Sequence, residues 1–189
     1  MRKYLLHVLI ISFVFLLAPT AQVVSYAGAI EDAKEEVRKN PDDAMAHFKL
    51  GVAYGESGKY EEAIESHKQA IRIDPDAAIA HVGLGAACLK SGMHKEAIES
   101  YKQAIKVDPD FALAHNGLGI AYGYLGKYEE AIESYKQAIR IDPDDTFAHY
   151  NLGSKYVLSN DKDSALEQYK ILKKLDTELA NKLFNFINE

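Results

Sequence analysis

Cysteine is nearly absent from this 189-residue chain, and tryptophan is absent altogether. The only cysteine, Cys88, cannot form a disulfide within the chain, and no thiol lies near the N-terminus to carry a lipid anchor. The sequence also contains no Gly-rich phosphate loop, no CxxC pair and no nucleophile elbow. We therefore expect no disulfide framework, no cofactor, no catalytic residue and no enzymatic activity.

Basic residues are fewer than acidic ones, with 22 lysines and arginines against 28 aspartates and glutamates. The formal net charge of -6 makes nucleic acid an unexpected partner, because an acidic surface repels phosphate backbones. Hydrophobic residues make up 48% and charged residues 26% of the chain, which is a globular balance. The length suits one compact unit and leaves little room for a separate catalytic domain.

The one long apolar run stands at the N-terminus. Arg2 and Lys3 precede the almost wholly apolar residues 5–17, and small residues follow up to Ala27. This order is typical of a signal peptide, and the run is shorter than the roughly 17 to 25 residues of a membrane-spanning helix. We expect residues 1–27 to be removed and the rest to be exported to the periplasm or another extracytoplasmic compartment. The alternative is an uncleaved anchor, which would be the only membrane contact.

Proline marks an internal repeat of 34 residues, and three other kinds of residue keep the same step. The columns are Pro41, Pro75, Pro109 and Pro143; His47, His81, His115 and His149; Gly51, Gly85, Gly119 and Gly153; and Ala63, Ala97, Ala131 and Ala165. Four repeats from Ala44 to Leu179 account for most of the chain.

Each repeat is predicted to form two helices, because apolar residues recur at helical spacing in both of its halves. The turn between the halves holds a residue type that accepts a left-handed conformation just after a helix: Gly58, Gly92, Gly126 or Asn160. We expect the Gly51 column to face the Ala63 column, where the two helices of a hairpin approach closely. The histidine column is interpreted as part of the packing between helices and not as a metal site. Metal ligands lie within about 2.1 Å of the ion, whereas packed helices stand roughly 8 to 10 Å apart, so neighbouring histidines of the column cannot share an ion.

These columns resemble the signature of the tetratricopeptide repeat, which combines an aromatic position, Leu-Gly, Tyr, Ala, a second aromatic and Pro. The third repeat shows it as His115, Leu118-Gly119, Tyr122, Ala131, Tyr135 and Pro143. The resemblance implies an all-α fold, a right-handed α-solenoid of helix-turn-helix repeats. It also implies that the first helices line an inner face that receives peptides. The departures are histidine at the usual tryptophan column, Cys88 at a tyrosine column and Thr177 where a fifth proline would fall.

The predicted organisation has a helix or cap at each end of the repeats. Its segments are the signal peptide 1–27, an N-terminal helix 28–43, repeats 44–77, 78–111, 112–145 and 146–179, and a C-terminal capping helix 177–189.

The first helices vary more than the second helices, and this points to a binding surface. Residues 58–77 and 126–145 agree at 18 of 20 positions, whereas residues 44–57 and 112–125 agree at only 8 of 14. Five of the six differences fall on one mostly apolar stripe, and exposed apolar faces often mark interaction surfaces. The predicted groove comprises Met45, Phe48, Val52, Ile79, Val82, Ala86, Leu89, Leu113, Asn116, Ile120, Tyr124, Phe147, Tyr150, Asn151 and Leu158.

Two functions fit this pattern. The first is a scaffold or adaptor that binds a partner protein or peptide with apolar anchors in the groove. Some family members hold a terminal carboxylate with lysine, arginine and asparagine on this face, but that pattern is not reproduced in the sequence. The second is a self-assembling structural protein, a homo-oligomer joined through its end caps near Ile30, Val37, Phe184 and Phe186.

Overall fold

The structure, a computed structural model, describes residues 26–189. The predicted signal peptide therefore lies outside the described residues, apart from Tyr26 and Ala27. Every regular element in the described part is a helix, so the predicted all-α fold is confirmed. No helix among these residues combines the length and the apolar character needed to cross a membrane.

Within residues 26–189, ten helices follow one another with short turns between them. They are α1 (residues 26–39), α2 (Ala44–Glu56), α3 (Tyr60–Ile73), α4 (Ala78–Lys90), α5 (His94–Val107), α6 (Ala112–Tyr124), α7 (Tyr128–Ile141), α8 (Thr146–Leu158), α9 (Lys162–Leu175) and α10 (Thr177–Asn188). Helices α2, α4, α6 and α8 are the first helices of the four repeats, and α3, α5, α7 and α9 are the second helices. The chain divides into two compact units, one ending at Ile73 and the other beginning at Asp74.

The first unit contains a hairpin of α2 and α3, with α1 packed against α2. The buried side chains of Ile30 and Ala33 meet those of Leu50 and Ala53, and Val37 packs at the edge of this cluster. Ile30 is only 5% exposed, so it offers no surface for end-to-end assembly.

The second unit contains three hairpins, α4/α5, α6/α7 and α8/α9, followed by α10. Each hairpin packs on the next through its second helix, and the first helices α4, α6 and α8 are neighbours. Helix α10 covers the last hairpin with Ala180, Leu183 and Ile187, which are buried together with Ala165 and Leu172. The other apolar residues of α10 are less buried. Leu179 and Phe186 are half-buried, and Phe184 is 44% exposed.

The predicted left-handed turn residues are confirmed. The backbone φ angles are 78° at Gly58, 80° at Gly92, 70° at Gly126 and 60° at Asn160. In the first repeat the N–H of Lys59 then donates to the carbonyl of Tyr54 over 2.9 Å, and this bond satisfies one of the last carbonyls of α2.

The histidine column fixes the turn that precedes each first helix. In every repeat the imidazole Nε2 lies 2.9 or 3.0 Å from the carbonyl oxygen of the proline six residues earlier. A carbonyl can only accept, so Nε2 carries the proton and donates. His149 is buried and also meets Gln168, with 2.7 Å between Nδ1 and Oε1.

The predicted contact between the glycine and alanine columns is wrong. A Cβ atom on Gly51 would meet the ring of His67 at 2.6 Å, and those on Gly85 and Gly119 would meet Tyr101 and Tyr135 at 2.9 and 2.6 Å. These glycines therefore make room for the buried aromatic column of the second helix. The alanine column is buried in all four repeats, and in the first repeat a Cβ atom on Gly55 would lie 4.0 Å from the Cβ of Ala63.

Candidate partner-binding surface

Large apolar side chains reach solvent mainly from the first helices. Six of the eleven large hydrophobic residues that are exposed in the described part of the chain lie on these helices: Met45, Val52, Leu113, Tyr124, Phe147 and Leu158. Helices α3, α5 and α7 contribute none of the eleven, and their outer positions are mostly Glu, Lys and Arg. Just over half of these exposed side chains therefore lie on three of the first helices, α2, α6 and α8.

In the first unit this surface is formed by α2. Met45 is 47% exposed and Val52 is 38% exposed. Phe48 lies between them along the helix and is half-buried. Its ring centroid lies 5.4 Å from that of His67, and the two ring planes are inclined at 49°. Contact with a buried ring from α3 restricts the orientation of Phe48, so part of the surface is preorganised.

In the second unit the most exposed apolar side chains are Leu113, Tyr124, Phe147 and Leu158, at 51%, 65%, 64% and 46%. Other predicted groove residues are less accessible. The half-buried ones are Ile79, Leu89, Ile120, Tyr150 and Asn151, whereas Ala86 is exposed but offers only a methyl group.

Two residues of the predicted groove do not contribute accessible surface. Val82 is 6% exposed and Asn116 is 7% exposed. They occupy the same column of the repeat as the half-buried Phe48 and Tyr150, so no residue of this column is fully exposed. The Asn116 side chain instead accepts a hydrogen bond from Nδ2 of Asn151 over 3.2 Å, which links α6 to α8.

His94 supports the exposed ring of Tyr124 and was not predicted from the sequence to have this role. The two rings are stacked, with centroids 4.8 Å apart and planes within 4° of parallel. The stack joins the start of α5 to the end of α6, because Tyr124 is the last residue of its helix. A ring held in this way contacts a ligand at a small cost in conformational entropy.

A small cavity of about 220 Å³ lies beside this stack, at the junction of α6, α7 and α8. Its wall is formed by Ile120, Gly123, Tyr124, Tyr135, Asn151 and Lys155. Lys155 is half-buried, and desolvation lowers the pKa of its ammonium group. The sequence did hold a signal for this residue, because Lys155 stands in a column that is alanine in the other three repeats: Ala53, Ala87 and Ala121.

Within residues 26–189, no group of three or more His, Cys, Asp or Glu side chains is placed to hold a metal ion. Cys88 is buried in α4, in keeping with its place in a tyrosine column of the repeat.

Solved structures of similar proteins have the same fold. MamA is 29% identical, with a TM-score of 0.72 and coverage of 82% of this chain and 91% of that one. MamA from Desulfovibrio magneticus RS-1 is 26% identical, with a TM-score of 0.71 and coverage of 82% and 87%. TTC0263 from Thermus thermophilus, at 23% identity, shows the fold alone, with a TM-score of 0.74 and coverage of 92% and 96%. No curated protein sequence matches the chain significantly.

Family models match most of the repeat region. Two models described as tetratricopeptide repeat match residues 33–65 and 112–145, and a third, described as TPR repeat, matches residues 53–92 and 87–126. Together with the 34-residue columns and the hairpins observed, these matches show that the chain belongs to the tetratricopeptide repeat family, which is a family of protein-interaction scaffolds.

Proposed function

We propose that this protein is an exported scaffold that holds a partner polypeptide on the face formed by its first helices, through apolar anchors of the partner. The exposed apolar surface of that face is the observation that carries the proposal. Its exposed side chains are large, they come from α2, α6 and α8, and the α3, α5 and α7 helices lack them. An exposed apolar face on an otherwise charged protein is typical of an interaction site.

The energies are adequate for a specific complex. Covering the exposed parts of Tyr124 and Phe147 would stabilise a complex by roughly 2 to 3 kcal/mol for each residue, at about 25 cal/mol per Å² of apolar area. Leu113 and Leu158 would add smaller amounts. Aliphatic side chains on an amphipathic helix or an extended segment are suitable partners for such a surface.

Export is part of the proposal and rests on the N-terminal sequence. Arg2 and Lys3 followed by the apolar residues 5–17 favour secretion, and removal of residues 1–27 would change the formal charge from -6 to -8. The partner is then expected in the periplasm or an equivalent compartment. Its anchors are apolar, since like charges would oppose a strongly acidic segment.

A peptide panel tests this proposal. Capped peptides with leucine or isoleucine anchors should bind the protein more tightly than peptides in which serine replaces those anchors. The double variant Leu113→Ser/Phe147→Ser should weaken binding at least tenfold, because each substitution removes about 1.5 kcal/mol or more of apolar contact.

A matched control is available on α9. Ile171 and Leu175 are 37% and 39% exposed but lie on a second helix, so Ile171→Ser/Leu175→Ser should leave the affinity within twofold. Equal losses from the two double variants would contradict the assignment of the binding face. A preference for acidic carboxy-terminal tails without aliphatic residues would contradict the class of partner.

Self-assembly is a second candidate, supported by one feature of the C-terminal cap. Phe184 is 44% exposed, and its ring lies 5.1 Å from that of Tyr169. Light scattering across a concentration series separates this candidate from the first. Growth in particle size that Phe184→Asp abolishes would support assembly through the cap, whereas a constant size at all concentrations would exclude it.

A further inference from the structure

The last turns of α9 carry lysine and aliphatic side chains together at the surface of the protein. All five residues of this α9 patch are exposed: Lys170, Ile171, Lys173, Lys174 and Leu175. Side chains four positions apart are neighbours on a helix, so Lys170 and Lys174 form a row beside the row of Ile171 and Leu175. The patch is therefore cationic and apolar at once.

The fourth repeat departs from the other three at two positions of this patch. Where α9 has the exposed Ile171, the other second helices have glutamine, and where α9 has the exposed Lys173, they have a half-buried isoleucine. The counterparts are Gln69, Gln103 and Gln137 for the first position and Ile71, Ile105 and Ile139 for the second. A basic residue in the last turn is common to all four second helices and suits the negative end of the helix dipole. The dipole does not explain the exposed aliphatic side chains.

The lysines of the α9 patch have no ion-pair partner within residues 26–189. None of them takes part in the eight ion pairs found there. Their counterparts Lys68 and Lys102, at the position of Lys170, pair with glutamates over 2.9 and 3.7 Å. The adjoining acidic residue Asp176 is occupied as the cap of α10, because its carboxylate accepts from two backbone N–H groups of that helix. The patch therefore offers three cations to an external anion.

The size and chemistry of the α9 patch fit the surface of an anionic lipid bilayer. Five side chains are far fewer than the roughly 20 to 30 residues that each partner contributes to a standard protein interface. A bilayer surface needs no matching shape, because lysines pair with its phosphates while aliphatic side chains reach the boundary between headgroups and acyl chains. The acidic remainder of the protein opposes this contact little, since charges more than about 8 Å away are screened at physiological salt.

We propose that the α9 patch attaches this protein peripherally to an anionic phospholipid surface, with its three lysines at the phosphate groups and with Ile171 and Leu175 at the edge of the acyl chains. The inference goes beyond the proposed function, because the scaffold would then hold its partner at a membrane. The contact lies on a folded helix and does not require the N-terminal segment, which is otherwise the only membrane contact expected from the sequence.

A single tryptophan at position 171 tests the contact, because the chain has no tryptophan of its own. The full-length Ile171→Trp protein is titrated with vesicles of phosphatidylglycerol and phosphatidylcholine, or of phosphatidylcholine alone. The anionic vesicles should shift the emission to shorter wavelength, and brominated lipid should quench it. Binding should be at least tenfold tighter than to neutral vesicles, since each lysine near an anionic surface contributes about fivefold. Equal responses to the two kinds of vesicle would overturn the proposal.

Charge variants in the Ile171→Trp background identify the lysines that act. Lys170→Gln/Lys173→Gln/Lys174→Gln should weaken binding to the anionic vesicles at least tenfold. The matched control Lys102→Gln/Lys106→Gln/Arg140→Gln removes three charges from exposed positions of α5 and α7 and should change the binding less than threefold. Equal losses from the two triple variants would mean that binding follows the net charge and not the α9 patch.

A second tryptophan position tests where the lipid contact lies. Gln103 is exposed on α5 at the position that corresponds to Ile171. The emission of Gln103→Trp should not respond to anionic vesicles, because no exposed aliphatic side chain surrounds this position on α5. A shift as large as that of Ile171→Trp would show that the contact is not confined to α9, and the assignment to the patch would fail.

Soluble polyglutamate distinguishes an acidic polypeptide from a lipid surface. If polyglutamate shifts the emission of Ile171→Trp and anionic vesicles do not, the patch binds acidic polypeptides and the membrane proposal is wrong. Peptide binding measured without lipid keeps the two proposals apart, because the triple variant of the α9 lysines should retain the affinity for aliphatic peptides within twofold. Failure of the vesicle experiment therefore leaves the scaffold function standing, and failure of the peptide panel leaves the membrane contact standing.

Discussion

The ring of His67 lies directly over Gly51. A Cβ atom on Gly51 would stand 2.6 Å from Cε1 and 2.7 Å from both ring nitrogens of His67. The histidine is itself buried, and Phe48 packs against its ring with 5.4 Å between centroids. The ring therefore has little room to move away, and the closeness of α2 and α3 depends on the absence of a side chain at Gly51.

Alanine at Gly51 is expected to destabilise the protein by about 1 to 3 kcal/mol, the usual range for overpacking a core. The same substitution at Gly55, one turn further along α2, meets only the Cβ of Ala63 at 4.0 Å. Gly55→Ala should therefore be neutral or stabilise by up to about 1 kcal/mol through helix propensity. Urea unfolding of both variants measures the free-energy changes, and changes of the same sign and size would refute the contact.

Local chemistry explains which parts of the fold could be predicted from the sequence. Gly58 and Asn160 mark the turns because few other residue types adopt positive φ, and this preference does not depend on distant contacts. The partner of the Gly51 column could not be predicted, because the sequence gives the columns on each helix but not how far the helix is rotated about its axis. That rotation is set by packing, and it brings His67 rather than Ala63 against Gly51.

The candidate site was predicted less completely than the fold, for the same reason. Leu113 and Asn116 are one helical turn apart and both fit an apolar stripe, yet one is 51% exposed and the other is 7% exposed. This difference in exposure depends on how the neighbouring helix packs. The spacing of residues along one helix does not describe that packing. Lys155 could have been found, since comparison of the repeats shows a lysine among alanines.

The histidine column predicts a graded loss of stability. His115→Leu removes the bond to the Pro109 carbonyl at a half-buried position, where water can replace it, and should cost about 0.5 to 1.5 kcal/mol. His149→Leu removes bonds to Pro143 and Gln168 at a buried position and should cost about 1 to 3 kcal/mol more. Thermal and urea unfolding measure the loss of stability in both variants. An equal loss would mean that burial does not strengthen the hydrogen bonds of the histidine column.

Removal of the N-terminal segment is a separate prediction. Expressed with its native N-terminus in a secreting bacterial host, the protein should be recovered from the periplasm, beginning at Gly28. Mass spectrometry of the intact protein identifies the first residue. Replacing Leu9 and Phe13 by aspartate would interrupt the apolar run and should leave the full-length chain in the cytoplasm. Recovery of an uncleaved chain in the membrane fraction would instead support the anchor.

The pH dependence of stability provides a test of the buried imidazole. Burial lowers the pKa of His67 from 6.5 to about 4, so the folded protein keeps this ring neutral while the unfolded chain protonates it. The unfolded state therefore binds more protons between pH 6.5 and 4, and stability falls as the pH is lowered through that window. The full effect of this one group is about 3 kcal/mol, and it is constant below pH 4.

A His67→Tyr variant isolates this contribution. Tyrosine occupies the same column as Tyr101 and Tyr135, packs against the equivalent glycines in those repeats and does not titrate between pH 4 and 6.5. Carboxylates titrate in both proteins, so the difference between the two unfolding free energies cancels their effect. That difference should change by about 3 kcal/mol between pH 7 and pH 4, in favour of the variant at low pH. Parallel pH profiles would mean that the imidazole is protonated equally in the folded and unfolded states.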